Sequence, residues 1–183
     1  VYDNSSPSYE YDGKTFSGKG AGVHLYFGDK MKLEAGSAIE LEMNGSRIYN
    51  NISDGAESTG GGIYFENISL PEMNYTFDIK LSYGSVTGNS AGLGGGLFVS
   101  KGEVTSERSG NAVLEISQNT GYQNGAGIYI QDGSLSMANG NITGNSISGN
   151  GNGGGIFIEN GDFTINAGEI SGNSVGNGNG GGV

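Results

Sequence analysis

The sequence predicts an all-β fold: a single-stranded, right-handed parallel β-helix of about five coils, with three short strands in each coil. Two sequence markers recur in alternation along the chain, and apolar and polar residues alternate between them. Short strands of this kind cannot bury an apolar face alone. They can do so when each coil stacks on the next, so the repeat predicts a solenoid.

The first marker is a triplet of small residues followed by an aliphatic residue. Its third glycine lies at positions 22, 62, 96, 127, 155 and 182, so the spacing shrinks from 40 residues to 27. The 38 glycines are therefore expected to mark turns between strands rather than a flexible linker. The aliphatic residues after the triplets predict one inward stack, formed by Val23, Ile63, Leu97, Ile128, Ile156 and Val183.

The second marker is an aliphatic residue followed three positions later by asparagine, and it occurs once between successive triplets. Its aliphatic members predict a second inward stack of Ile48, Val86, Ile116, Ile142 and Ile170. Because asparagine tolerates left-handed backbone at turns and stacks amide on amide, its asparagines predict a structural ladder. The ladder would contain Asn51, Asn89, Asn119, Asn145 and Asn173, and ligand binding by this row is the alternative.

The last coil predicts where its strands begin and end. Ile156 and Ile158 alternate with neighbouring residues of the opposite face, and Gly161 and Gly168 are expected to divide the coil into three strands. Residues 1–19 lack the repeat and predict an N-terminal cap or lead-in segment, with the β-helix repeats at 20–183. Since a new repeat begins at Gly182, we expect the chain to be part of a longer protein.

The net charge of −11 argues against binding to nucleic acid or to anionic membrane surfaces. The absence of cysteine excludes a disulfide framework and thiol chemistry. No apolar run approaches the roughly 18 residues of a membrane span, so no membrane insertion is expected within this chain. The partners left are a host or environmental glycan, a surface protein, or another copy of the chain.

A candidate binding surface follows from the first marker. If the aliphatic residue after each triplet points inward, the next residue points outward, and four of these five residues are aromatic. An exposed aromatic strip is typical of an interaction site, for sugar rings or for a protein, although aromatic residues also stabilise β-sheets by stacking. The strip would consist of His24, Tyr64, Phe98, Tyr129 and Phe157.

The sequence predicts no catalytic residues, no metal site and no cofactor. Glu66 and Glu159 would share an outward row three coils apart, about 14 Å, whereas paired carboxylates in glycosidases lie about 5–9.5 Å apart. The Gly-Gly-x-Gly-x-Asp period of calcium-binding repeats is also missing. These patterns favour a protein that is not an enzyme.

The glycine triplet with its aliphatic residue, preceded by Gly-Asn-Ser in three copies, resembles the repeats of bacterial polymorphic outer-membrane proteins and related surface adhesins. Those repeats belong to the pectin-lyase-like β-helix class. The resemblance covers residues 20–183, and the family's Phe-x-x-Asn motif stands here as Ile-x-x-Asn or Val-x-x-Asn. It implies a secreted or cell-surface passenger, on the bacterial outer surface, with a role in adhesion.

The function expected from these observations is a non-catalytic surface or secreted β-helix that acts as a rigid stalk or adhesive segment. One alternative is a structural subunit of an extracellular filament or sheath. Another is a carbohydrate-active enzyme, a polysaccharide lyase or hydrolase, because β-helix folds also host such enzymes.

Overall fold

The computed structural model shows a parallel β-solenoid of the predicted all-β class. It describes residues 1–6, 9–11, 14–16, 18–27, 38–67, 76–107 and 110–183. Within these residues there is no helix of the length and apolar character needed to cross a bilayer.

Eighteen strands are described, most of them short. They are β1 (Ser5–Ser6), β2 (Tyr9–Tyr11), β3 (Lys14–Phe16), β4 (Val23–Phe27), β5 (Ala38–Tyr49), β6 (Ile52–Ser53), β7 (Ile63–Asn67), β8 (Thr76–Thr87), β9 (Ser90–Ala91), β10 (Leu97–Ser106), β11 (Leu114–Ser117), β12 (Thr120–Gly121), β13 (Ile128–Met137), β14 (Gly140–Thr143), β15 (Ser146–Asn150), β16 (Ile156–Ile165), β17 (Gly168–Ser171) and β18 (Ser174–Asn177).

The strands stack in three rows, and all pairing within a row is parallel. The first row follows the glycine triplets in the order β4-β7-β10-β13-β16. The second row precedes the asparagines in the order β5-β8-β11-β14-β17, and the third row follows them in the order β1-β6-β9-β12-β15-β18. The first and second rows join through β8 and β10 into one ten-stranded sheet.

Three strands per coil, as predicted, are most regular in the three consecutive coils β10–β12, β13–β15 and β16–β18. This regular part is shorter than the five coils expected, and the less regular strands β4–β9 come before it. The expected strand break at Gly161 is wrong, because β16 continues through it. Gly161 pairs with Gly133, which pairs with Gly102, so the strands remain paired through these glycines.

Two columns of apolar side chains fill the space between the rows. Ile63, Leu97, Ile128 and Ile156 are paired in register, and so are Ile48, Val86, Ile116 and Ile142, as the two predicted inward stacks require. All of these residues are buried in one core cluster. Val23 and Ile170 extend the columns at half-buried positions, and Val183 follows Gly182, whose carbonyl oxygen accepts the Ile156 N–H as the corresponding glycines do in the earlier coils.

Part of the predicted cap takes part in the solenoid itself. Strand β1 pairs in parallel with β6, and Tyr2 forms a parallel bridge with Tyr49. Residues 5–6 therefore continue the third row and Tyr2 continues the second, while β2 and β3 form an antiparallel hairpin.

Candidate functional site

The predicted asparagine ladder is a continuous column of hydrogen bonds at the turn between the second and third rows. From Asn51 to Asn173, each side-chain Nδ2 donates to the Oδ1 of the next asparagine at 2.8–3.0 Å. The backbone N–H of the same donor residue donates to the same oxygen at 2.9–3.0 Å. The ladder therefore ties each coil to the next through both side chain and backbone.

Four of the five ladder amides also donate to a backbone carbonyl of the preceding coil. The Nδ2 of Asn119 donates to the carbonyl oxygen of Val86 at 2.9 Å, and three other ladder asparagines make the equivalent bond to the preceding coil. The first four ladder asparagines are fully buried. Since an amide has two donors and two acceptor sites, the inner residues use all their side-chain bonding capacity inside the protein. This favours the structural role over ligand binding.

The left-handed residue of the turn is not the ladder asparagine, contrary to expectation. It is the residue before it, with φ of +56° at Asn50, +54° at Gln118 and +63° at Gly144. Gly88 and Gly172 hold the same position in their coils, with φ of +65° and +63°. The chain thus turns one residue early, which leaves the asparagine free to point inward.

Sequence reasoning missed two parts of the asparagine network. Asn4 begins the ladder, because its Nδ2 donates to Asn51 Oδ1 at 2.9 Å. The signal was present, since Val1 precedes Asn4 by the three residues of the second marker. A second, more exposed ladder joins Asn124, Asn152 and Asn179, whose spacings of 28 and 27 residues match the coil length.

The aromatic strip is placed differently from the prediction. The expected exposure is wrong for Tyr64, Phe98 and Tyr129, which are 2%, 2% and 5% exposed. Their rings stack face to face, with centroids 5.4 Å and 4.8 Å apart. Phe157 continues the column at 5.2 Å and is half-buried, whereas His24 meets Tyr64 edge-on at 4.8 Å and is exposed.

The turn before each glycine triplet covers this aromatic column. A Cβ placed on Gly60 would lie 2.8 Å from the Cβ of Tyr64, and one on Gly94 would lie 2.9 Å from that of Phe98. Leu93 also packs against the rings. The column is therefore a second apolar core outside the solenoid wall, and its buried rings offer no stacking platform to a ligand.

Two tyrosine hydroxyls of the column reach its polar edge. Tyr64 donates to Glu66 Oε2 at 2.7 Å and Tyr129 donates to Glu159 Oε2 at 2.6 Å. Burial, and then these bonds to carboxylates, raise the pKa of both tyrosines well above its usual range. Burial followed by the charge of Lys19 lowers the pKa of His24.

A polar groove of about 440 Å³ runs beside these hydroxyls on the outer face of the first row. Glu66 and Glu159 both line it, but each accepts a bond from a tyrosine and neither is paired with the other. No cluster of three His, Asp or Glu side chains that could hold a metal ion occurs in the described part of the chain. The remaining lining residues are Ser100, Lys101, Gln131, Asp132 and Asn160.

A second groove, of about 330 Å³, lies on the outer face of the third row. Its lining includes two large side chains that are about half exposed, Tyr122 and Ile52, together with Asp54. Sequence reasoning did not single out these residues, because none of them belongs to a repeated marker.

Comparison with known proteins identified no relative of the chain. No family model, no curated protein and no solved structure matches the chain. What is shown is that the chain is a repeat protein with a parallel β-solenoid fold.

Proposed function

We propose that the chain is a rigid, non-catalytic segment of a secreted or cell-surface protein, with a stalk or adhesive role. It would belong to the right-handed, pectin-lyase-like type found in bacterial polymorphic outer-membrane proteins. The observation that carries this proposal is the buried asparagine ladder, which joins successive coils in one hydrogen-bonded column.

Rigidity is supported by several columns that run side by side. The two aliphatic stacks and the aromatic column accompany the ladder from coil to coil. Bending the solenoid would open contacts in a close-packed interior on one side and compress them on the other. A stiff rod of this kind can hold a binding surface away from its point of attachment.

The non-catalytic role is supported by how the carboxylates in the first-row groove are used. Glu66 and Glu159 are three strands apart in their row and are bonded to Tyr64 and Tyr129. Glycoside hydrolysis needs two carboxyl groups that flank one bond, with one of them able to give up a proton. Glu66 and Glu159 do not form such a pair.

A surface setting is supported by the resemblance to adhesin repeats. The partners proposed are a glycan, a surface protein, or another copy of the chain. We expect antibodies against the chain to label intact cells of the producing organism, and beads coated with the chain to adhere to cells or glycans.

The opposite results would reject this proposal. Labelling that requires cell lysis would contradict the surface location, and beads that bind no more than albumin-coated beads would contradict adhesion. Degradation of any polysaccharide in a reducing-end assay would indicate the enzyme alternative. Concentration-dependent light scattering by the purified chain would favour the filament alternative.

A further inference from the structure

The third-row groove is built by one position that repeats in four successive coils. Asp54, Gly92, Tyr122 and Ser148 each lie one residue beyond the paired residues of β6, β9, β12 and β15. Gly92 lies between Asp54, which forms one wall of the groove, and Tyr122, which forms the other, and two strand spacings put these walls about 10 Å apart. The backbone of Ala56 fills the place that a side chain on Gly92 would take.

One wall of the groove is held rigidly by hydrogen bonds. The buried Ser58 hydroxyl lies 2.6 Å from the carbonyl oxygens of Ser53 and Gly55, and it accepts the Gly92 N–H at 2.8 Å. These bonds fix residues 54–58 against the solenoid. The wall is therefore formed before any ligand arrives, which reduces the entropic cost of binding.

The two walls are also joined to each other. The side-chain Nε2 of Gln123, next to Tyr122, donates to the carbonyl oxygen of Ala56 at 3.2 Å and to Glu57 Oε1 at 2.6 Å. The position of the tyrosine is thereby tied to that of the opposite wall. Gly92 cannot be replaced without moving this wall, because a Cβ there would lie 1.9 Å from the Ala56 oxygen.

The chemistry of the lining combines an exposed ring with hydrogen-bonding groups. Tyr122 is 54% exposed and Ile52 is 51% exposed, so both present apolar surface to solvent. Asp54 is exposed, and its Oδ1 accepts one bond, from the Gly55 N–H at 2.9 Å. Ser53, Ser90 and Ser148 are the serines of the lining.

This combination suits a ligand that has a flat C–H face and hydroxyl groups at its edge. A pyranose ring can lay its C–H face on an aromatic ring while its hydroxyls bond to a carboxylate and to serine hydroxyls. A few polar groups placed around an apolar surface are typical of small-molecule sites, and about 330 Å³ is at the lower end of their usual size range. The groove therefore fits one or two sugar units.

The charge of the groove lining favours neutral sugars over acidic ones. Asp54 is the charged residue of the groove lining. An anionic sugar would place its carboxylate near that of Asp54 in a protein of net charge −11, without a lysine or arginine among the lining residues.

From this geometry we infer that the third-row groove binds neutral carbohydrate, with Tyr122 as the stacking platform and Asp54 as the principal hydrogen-bond acceptor. This inference rests on the proposed recognition role and names its ligand class and its site. It moves recognition from the first-row aromatic residues, which are largely buried, to the third row.

The test is a binding measurement with the purified chain. Galactobiose, lactose and maltose serve as neutral probes, and digalacturonate is the acidic counterpart of the first. Saturation-transfer difference NMR is expected to show saturation of the ring C–H protons of at least one neutral disaccharide and none for digalacturonate. Tyr122→Ala is expected to weaken that binding at least tenfold, and Asp54→Asn at least fivefold.

The matched control is Tyr26→Ala, which removes a tyrosine of similar exposure, 52%, from the first row. It should leave disaccharide binding unchanged, and circular dichroism should show that all three variants keep their β-structure. Absence of binding to every neutral probe, unchanged binding by Tyr122→Ala, or an equal loss in Tyr26→Ala would overturn the inference. If surface labelling and bead adhesion succeed while these probes fail, the proposed function stands without this site.

Discussion

Asn119 shows how much one side chain contributes to the fold. Its Nδ2 donates to Val86 O and to Asn145 Oδ1, while its own Oδ1 accepts the backbone and side-chain N–H groups of Asn89. All four bonds lie in a fully buried site, where an unpaired polar group is costly. No residue other than asparagine has this set of donors and acceptors at this length.

We expect Asn119→Ala to lower the free energy of unfolding by about 3–5 kcal/mol, because it leaves at least two buried donors of Asn89 without an acceptor. Urea denaturation followed by circular dichroism measures the loss. The control is Asn152→Ala in the more exposed second ladder, where solvent can replace the lost bonds and the expected loss is about 1 kcal/mol. Equal losses in the two variants would show that burial of the ladder is unimportant.

The residue before each ladder asparagine permits a separate test of backbone conformation. Gly144 has φ of +63°, and a Cβ there would meet only the Gln118 Cγ, at 3.8 Å. Gly144→Ala therefore causes no clash, and its expected loss of about 1 kcal/mol comes from the left-handed backbone alone. Thermal denaturation should show a smaller loss for Gly144→Asn, since asparagine tolerates this conformation. An alanine variant as stable as the original chain would contradict the turn geometry.

At the scale of an element, the aromatic column behaves as core rather than as surface. Its three buried rings stack at 4.8–5.4 Å, and the glycine turns lie over them. Offset or stacked ring pairs add to the stabilisation that comes from burial itself. The column also carries its own titrating group, because the Tyr129 hydroxyl donates to Glu159.

This hydroxyl predicts loss of stability at high pH. Folding raises the pKa of Tyr129 above the value of about 10 that it has when unfolded, so its stabilising effect is complete below pH 10 and declines as the pH rises further. The midpoint of thermal unfolding should fall between pH 9 and pH 11.5, and it should fall less in Tyr129→Phe. Tyr122→Phe, which removes an exposed hydroxyl, should not reduce the fall. An identical fall in Tyr129→Phe would contradict the assignment.

At the scale of the whole molecule, strand pairing within each row joins a coil to the coils on either side of it, and the Gln123 side chain reaches one coil further to Ala56 and Glu57. The free energy of unfolding of such a protein is approximately the sum of the intrinsic stability of each coil and the interaction energy between adjacent coils. Local stability therefore varies along the solenoid. Ile116 and Ile142 are fully buried, whereas Ile170 of β17 and Val175 of β18 are half-buried. The burial gradient thus runs along the axis of the solenoid.

We expect amide hydrogen exchange to follow this gradient. The amides of β11 and β14 should be protected for longer than those of β17 and β18, because opening the latter exposes less apolar surface. Mass spectrometry of proteolytic peptides from a native-state exchange series distinguishes these strands. Uniform protection from β11 to β18 would show that the molecule opens as a single unit.

The aliphatic stacks and the ladder were predictable from sequence because residues one coil length apart in a solenoid lie next to each other in adjacent coils. The repeat spacing therefore gives the strand register directly. Ile116 pairs with Ile142, and Asn119 bonds to Asn145, at the same separation of 26 residues. Burial of Phe98 was not predictable in this way, because it depends on the path of the turn at Gly94. The groove at Tyr122 was not predictable either, since its opposite wall comes from residues 54–58, which follow no period.

The asparagine ladder has a direction. In each amide-to-amide bond between Asn4 and Asn173, the earlier asparagine donates and the later one accepts, so the dipoles of these bonds point the same way and polarise one another. The two faces of a coil are therefore chemically unlike, one presenting donors and the other an acceptor. A further coil can extend the column only when it continues the same donor-to-acceptor direction. If two columns met through their donor faces, the N–H groups would point at each other and no hydrogen bond could form between them.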